Sequence, residues 1–246
     1  MWTLFHKFGS PPWLYQLSGS ILRWLLPLTL LALVAGATWG LLFTPPDFRQ
    51  GNSYRIIYIH VPAAVVALAG YYVMAIAGAI SLIWKMKMAD VALKACAPIG
   101  AALTFIALVT GSIWGKPTWG TWWVWDARIT SLLILLFLYL GVVALYEAYA
   151  NKAAAGQACA VLSLVGTVNI PIIYKSVDWW YSLHQPASIK FTGETTIDPS
   201  MLYPLLFMII TFYALFTCCL LLNMRAEILE REARTNWVRE IASESV

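Results

Sequence analysis

The chain has 246 residues, of which 61% are hydrophobic and only 11% are charged, and its mean hydropathy is +0.72. A soluble domain carries about 25% charged residues, and a soluble fold of this length could not cover so much apolar surface. The composition therefore predicts an integral membrane protein. The net charge of +4 is small, and the chain has no long basic patch or nucleic-acid-binding motif, so we do not expect it to bind nucleic acid.

Six apolar stretches approach or exceed the roughly 20 helical residues that are needed to cross a bilayer. We predict membrane-spanning helices at about 21–43, 57–83, 96–114, 129–148, 158–174 and 202–222. The fifth stretch is the weakest, because Thr167, Asn169 and Pro171 interrupt it. The chain is thus expected to form one all-α domain over residues 1–246.

The first apolar stretch also has features of a signal peptide. Residues 35–37 read Ala-Gly-Ala, which resembles a cleavage site after an apolar run. The apolar character nevertheless continues through residues 39–43, and the preceding region is long and aromatic. We therefore favour an uncleaved first helix over a cleaved leader.

Lysine and arginine residues near the helix ends predict the orientation of the chain. Ten of them lie in the N-terminal region, the 84–95 and 149–157 loops and the C-terminal tail, and six lie in the three loops on the other side. This bias favours both termini in the cytoplasm and a periplasmic Trp-rich segment at about 114–128.

The tail at 223–246 is predicted to be cytoplasmic and to contain a helix over residues 225–242. Glu227 and Arg231 stand four residues apart, as do Glu230 and Arg234, and such pairs stabilise helices. This helix could be solvated, lie at the membrane interface or contact a cytoplasmic subunit.

The cysteines argue against two kinds of chemistry on the outer side of the membrane. All four map near predicted cytoplasmic helix ends, and none forms a C-x-x-C pair: Cys96, Cys159, Cys218 and Cys219. We therefore expect no external disulfide and no covalently attached c-type haem.

Two of the three histidines fall on the predicted periplasmic side. His60 stands at the outer end of the second span, and His184 follows Trp179-Trp180 in the loop between the fifth and sixth spans, whereas His6 lies in the N-terminal segment. Either histidine alone is more often a hydrogen-bonded or interfacial residue than a ligand. Together, two imidazoles can supply both axial ligands of a haem iron, whereas a zinc site would normally need a third protein ligand.

The Trp-rich stretch 114–126, WGKPTWGTWWVWD, carries five of the thirteen tryptophans. It could be an interfacial aromatic belt or a platform for a planar cofactor. A helix would place Trp119, Trp122, Trp123 and Asp126 on one face, whereas an extended segment would place Trp119, Trp123 and Trp125 on one side. Trp114 precedes both sets in the stretch. The sequence leaves both geometries open.

Three charged residues lie near this predicted site. Arg55 and Arg128 could pair with haem propionates. Asp126 stands just before the fourth span, where an acid is favourable at a helix N-terminus, so a structural role and a direct role in the site are both open.

Residues 119–126, WGTWWVWD, match the W-G-x-x-W-x-W-D signature of the haem-handling membrane proteins with a tryptophan-rich "WWD" domain. Four flanking runs resemble the CcmC branch of that family: GNSYRIIYIHVPAA at 51–64, APIGA at 97–101, FIALVTGSIWGKP at 105–117 and DARITS at 126–131. The resemblance extends to about residue 200, and His60 and His184 match the two external histidines of the family.

The resemblance implies a multi-pass subunit of the bacterial inner membrane that holds non-covalent haem b at the periplasmic face for cytochrome c maturation. It implies as partners the ABC transporter subunits CcmA and CcmB, the small membrane protein CcmD and the periplasmic haem chaperone CcmE. The chain has no P-loop, so ATP hydrolysis is expected in a partner, and we do not expect an enzyme.

Two other functions are compatible with parts of the sequence. A b-type membrane cytochrome that exchanges electrons with quinone would also bind haem, but such proteins usually carry histidines inside their helix bundle, and the predicted spans have none at mid-membrane. A structural assembly subunit would use its tryptophans only as interfacial anchors.

Overall fold

The computed structural model describes residues 7–184 and 197–244, and within them all regular secondary structure is helical. His6 and Lys190, which entered the predictions of the site and of the orientation, lie outside the described residues. The helices are α1 (Pro11–Thr38), α2 (Ile57–Trp84), α3 (Lys87–Trp119), α4 (Ala127–Ala148), α5 (Lys152–Gly166), α6 (Asn169–Trp179), α7 (Pro199–Arg231) and α8 (Asn236–Glu244).

Within the described residues, six helical segments are long and apolar enough to cross a membrane, in agreement with the predicted all-α fold and six spans. They are Pro11–Phe43, Asn52–Trp84, Lys87–Trp119, Ala127–Ala148, Lys152–Trp179 and Pro199–Arg231. Several extend beyond the predicted boundaries because they continue through amphipathic and charged residues that hydropathy alone leaves out. The sixth span continues to Arg231, so the tail separates into the end of α7 and the short helix α8 rather than one helix over 225–242.

The third span also extends further than expected and includes the first half of the Trp-rich stretch. Trp114 and Trp119 belong to α3, which ends at Gly120 with φ of 78°. This left-handed conformation suits glycine, since it has no Cβ to clash. The stretch is therefore neither one helix nor one extended segment, because it is helical before Gly120 and irregular after it.

Helices α2 and α3 form the centre of the bundle. They pack against each other, and both contact α7, while α2 also contacts α5 and α3 also contacts α4. Helix α1 packs on α7 at the periphery and exposes most of its surface. This arrangement buries the first turns of α2 against the second half of α3, where the candidate site lies.

The fifth span is a broken helix, and the break falls where the sequence is weakest. Helix α5 ends at Gly166 and α6 begins at Asn169. The side-chain amide of Asn169 donates to the backbone carbonyl of Ser131 on α4, at 2.9 Å. Pairing this buried amide matters because an unsatisfied polar group is costly in an apolar environment.

An ion-pair network joins α3 to α7 at the end of the bundle opposite His60. Glu227 accepts hydrogen bonds from Lys94 Nζ and Arg231 Nε, both at 2.6 Å, and Arg231 also contacts Asp90 at 2.5 Å. The side chains of these residues are between 11% and 28% exposed. Charges this far removed from water depend on their partners.

Replacement of Glu227 by Ala should therefore destabilise the bundle, because it leaves Lys94 and Arg231 without their shared carboxylate. We expect a loss of about 2 kcal/mol, less than for a fully buried pair because these side chains keep some contact with solvent, and this loss lowers the thermal midpoint in detergent by roughly 4–8 °C. Asp178→Ala is the matched control, because the Lys175–Asp178 pair is about half exposed. An equal shift in the two variants would contradict a stabilising role of the network.

Candidate functional site

His60 lies in the first turns of α2 and is 9% exposed. Its Nδ1 is 2.9 Å from the carbonyl oxygen of Ala107 and 3.2 Å from Thr110 Oγ1, both on α3. A carbonyl oxygen can only accept a hydrogen bond, so Nδ1 carries the proton and Nε2 keeps its lone pair. The ring orientation and tautomer of His60 are thus fixed by the backbone of the neighbouring helix.

Close approach of α2 to α3 at this point depends on Gly111. A Cβ at position 111 would lie 3.0 Å from His60 Cε1 and 3.4 Å from Nδ1. The indole of Trp114, one turn further along α3, meets the His60 ring edge-on with a centroid distance of 5.8 Å. Gly111 has no distinguishing signal in the sequence, since its role depends on which helix faces His60.

His184 follows α6 and reaches the same end of the bundle. Its Nδ1 is 3.3 Å from the Arg128 guanidinium, its backbone N–H donates to Ser182 Oγ at 3.0 Å, and its ring lies 6.1 Å from that of Trp119. Trp114, which meets His60, and Trp119 stand five residues apart on α3, about 7.5 Å along its axis. The structure therefore brings the two predicted histidines together, each beside a tryptophan of α3.

Asp126 has both a helix-capping role and a contact to the His184 segment. One carboxylate oxygen accepts the backbone N–H of Ile129 at 2.8 Å and so caps α4. The other accepts the hydroxyl of Ser182, which in turn accepts from the backbone of His184. Asp126 therefore supports the position of His184 through Ser182.

Arg128 ties the start of α4 to the end of α6. Its Nε donates to Ser176 Oγ at 3.3 Å and one terminal nitrogen donates to the carbonyl of Tyr174 at 3.0 Å. The other terminal nitrogen makes the contact with His184. All five guanidinium hydrogens are donors, so Arg128 can recognise only acceptors, including carboxylates.

Arg55 is engaged with the backbone of the first span. Its terminal nitrogens donate to the carbonyls of Leu41 at 2.9 Å and Thr44 at 2.6 Å, where α1 ends in a π-helical turn. Its buried Nε has no hydrogen-bond partner among the described residues. Pairing with a ligand carboxylate could therefore use Nε–H or the second hydrogen of either terminal nitrogen.

The tryptophans do not form one platform, because α3 separates them. Trp114 and Trp119 lie beside the histidines, whereas Trp122 and Trp123 line a groove between α3 and α4 that is about 420 Å³ in volume. The other lining residues are Phe105, Leu108, Val109, Ser112, Ile113, Leu133 and Leu136. Residues 105, 109 and 112 point away from residues 107, 111 and 114 at the helical spacing of 100°, so the groove and His60 occupy opposite faces of α3.

Trp125 has a third environment. Its ring meets that of Trp123 edge-on at 5.3 Å, yet the residue is 75% exposed.

Gln50 is a residue near the site that the sequence did not indicate. Its side-chain oxygen accepts the Trp114 indole N–H at 2.7 Å. Nothing in the sequence marks this glutamine, because it stands 64 residues before its partner in an irregular loop.

The structure also limits the kind of metal centre. Among residues 7–184 and 197–244, no group of three or more His, Cys, Asp and Glu side chains could hold a metal ion. Two imidazoles alone suit a metal whose remaining ligands come from a cofactor, such as haem iron.

Gly111→Ala should displace His60, because the added methyl group would lie too close to the imidazole. The carbethoxylation rate of His60, followed by mass spectrometry, should rise several-fold as the ring leaves its buried position. Gly141→Ala is the matched control, since the new Cβ would meet only the end of the Leu162 side chain, at 3.3 Å. Unchanged His60 reactivity in Gly111→Ala would show that the close approach does not hold the ring.

Comparison with known proteins supports the family that the motifs indicate. Residues 4–239 match the family model CcmC, described as "Heme exporter protein C". The chain is similar to proteins of that name from Escherichia coli K12 (51% identity, covering 98% of this chain and 97% of the relative) and Haemophilus influenzae (45%, covering 98% of each). It is also similar to that of Bradyrhizobium diazoefficiens (48% identity, covering 92% of this chain and 86% of the relative). The chain therefore belongs to the heme exporter protein C (CcmC) family.

Proposed function

We propose that this chain is a subunit of a haem export system for cytochrome c maturation, and that it holds haem between His60 and His184 and presents it to a CcmE-type chaperone. Membership of the CcmC family supports the role in haem export. The observation that carries the specific role is the convergence of two histidines, one from α2 and one from the segment after α6, at one end of the bundle.

The residues at this end fit a haem. The two imidazoles would hold its iron. Haem would also bring two carboxylates that the arginines of the site could recognise. His60 already has the tautomer that leaves Nε2 able to bind a metal, because Ala107 accepts from Nδ1. Trp114 and Trp119 offer aromatic surface beside the histidines. Arg55, five residues before His60, and Arg128, in contact with His184, are the proposed partners of the haem carboxylates.

The proposed orientation places this end at the periplasmic face of the inner membrane. The lysine and arginine bias supports it, and the charged network at Asp90 and Glu227 would then face the cytoplasm. Exposed aromatic residues at the histidine end suit the membrane–water interface: Trp122, Trp125, Trp179, Trp180 and Tyr181. A ligand held here would be accessible from the periplasm.

The transfer of haem requires a surface on which the chaperone can dock. Trp125 is the best candidate, because its indole is exposed beside Trp123 and large aromatic anchors dominate the energetics of protein interfaces. In this proposal the partners are CcmA, CcmB and CcmD as well as the chaperone, and ATP hydrolysis belongs to the transporter subunits.

The haem site can be tested by absorption spectroscopy of the purified protein. His60→Ala/His184→Ala should lose at least about 90% of the Soret absorption per protein, because both iron ligands are removed. His6→Ala, which replaces the third histidine, is the control and should retain the wild-type spectrum. A wild-type protein without a Soret band after expression with ample haem, or an unchanged band in the double variant, would refute the proposed site.

The docking role of Trp125 makes a separate prediction. Trp125→Ala should keep the Soret band but reduce transfer of haem to the chaperone by roughly 30-fold, the effect of losing an interfacial anchor worth about 2 kcal/mol. Trp24→Ala on α1 is the control, since Trp24 is similarly exposed at 71%. Equal transfer rates for Trp125→Ala and wild type would place the docking surface elsewhere.

A further inference from the structure

We propose that Arg128 controls whether His184 can bind iron: it holds the imidazole in a non-ligating tautomer and releases it when Arg128 pairs with a carboxylate of the ligand. This inference rests on the proposed haem site and adds a requirement for its ligand. The ligand class it selects is a metalloporphyrin with free carboxylate groups.

The contact between Arg128 and His184 decides the tautomer. A guanidinium has no lone pair to offer and can only donate, so Nδ1 of His184, 3.3 Å from the Arg128 terminal nitrogen, must be the acceptor. The proton of the neutral imidazole then lies on Nε2. A protonated ring nitrogen cannot bind a metal, so His184 in this arrangement offers iron no lone pair at Nε2, and Arg128 covers the lone pair at Nδ1.

His60 has the opposite arrangement. Its Nδ1 faces the carbonyl of Ala107 at 2.9 Å and therefore carries the proton, which leaves the lone pair on Nε2. A hydrogen bond from Nδ1 to a backbone carbonyl is the usual support for a metal-binding histidine. The two histidines of the site are thus unequal, because His60 is prepared for metal binding and His184 is not.

Arg128 can change partner without losing its place. Its Nε and one terminal nitrogen remain bound to Ser176 and Tyr174, which keeps the planar guanidinium in place, so the exchange consists of a ligand carboxylate displacing the His184 imidazole from the third nitrogen. Asp126 and Asp178 are close enough to act on Arg128 electrostatically, but among the described residues neither forms an ion pair with it. Asp126 is occupied by Ile129 and Ser182, and Asp178 pairs with Lys175.

A ligand carboxylate would therefore give Arg128 its first direct anionic partner in the described part of the chain. Charge-assisted bonds of this kind are stronger than a bond to a neutral imidazole, so the exchange is favourable. Loss of the Arg128 contact allows the His184 proton to move to Nδ1 and leaves Nε2 as a ligand. Recognition of the ligand carboxylate by Arg128 is thereby coupled to binding of the iron by His184.

The first test compares iron protoporphyrin with its dimethyl ester, which lacks the anionic carboxylates. The purified wild-type protein in detergent should bind iron protoporphyrin with a six-coordinate, low-spin spectrum. The ester should bind at least about tenfold more weakly and give a five-coordinate, high-spin spectrum, with His60 as its only protein ligand. A low-spin ester complex of wild-type affinity would overturn the inference.

The second test removes the donor. In Arg128→Met, His184 is no longer held by the guanidinium, so the ester and the free acid should give the same low-spin spectrum. Arg49→Met is the matched control, because Arg49 is an exposed arginine of the first outer loop, and it should keep the wild-type difference between the two porphyrins. Retention of that difference in Arg128→Met would also overturn the inference.

The third test needs no porphyrin and does not depend on the folding of a variant. Nitrogen-15 NMR of the ligand-free wild-type protein, labelled at histidine, should show His184 protonated at Nε2 and His60 protonated at Nδ1. His184 protonated at Nδ1 would refute the inference while leaving the haem site intact. Failure of the haem site itself would be seen separately, as the absence of a histidine-dependent Soret band in wild type.

Discussion

The close contact between α2 and α3 at Gly111 is the constraint on which the site depends. It brings His60 within hydrogen-bonding distance of the Ala107 carbonyl and beside Trp114. In a helix that carbonyl is normally used by the residue four positions later, and a second acceptor site remains on its oxygen. The backbone of α3 thus orients a side chain on α2 without leaving a polar group unsatisfied in the membrane.

The second half of the site is built by longer-range contacts. His184 is positioned by Arg128 at the start of α4 and by Ser182, which binds Asp126. Two of these contacts, Arg128 to His184 and Ser182 to Asp126, join side chains that are 56 residues apart in the chain. The site therefore combines one histidine fixed by a helix–helix contact with another held by polar bonds to side chains and to the neighbouring chain segment, a difference that would suit the proposed binding and release of haem.

Much of the fold could be predicted from the sequence because membrane spans have a strong compositional signal. Six spans and the weak fifth stretch follow from hydropathy and from Thr167, Asn169 and Pro171. The separation of the tryptophans could not be predicted, because it depends on Gly120 ending α3 after Trp119 and on which face of α3 meets α2. Gly111, Gln50 and Ser182 have no sequence signal of their own, since each matters only through a partner distant in the chain.

The attachment of α6 to α4 has a consequence for how a movement of one helix is transmitted to the site. Helix α6 has only eleven residues, about 16 Å of helix, and it is fastened to α4 at both ends, through Asn169 to Ser131 and through Arg128 to Ser176. Only Thr167 and Val168 separate α5 from α6, and both keep right-handed helical dihedral angles. A movement of the first turn of α4 would consequently be passed to α6 and to His184 beyond it.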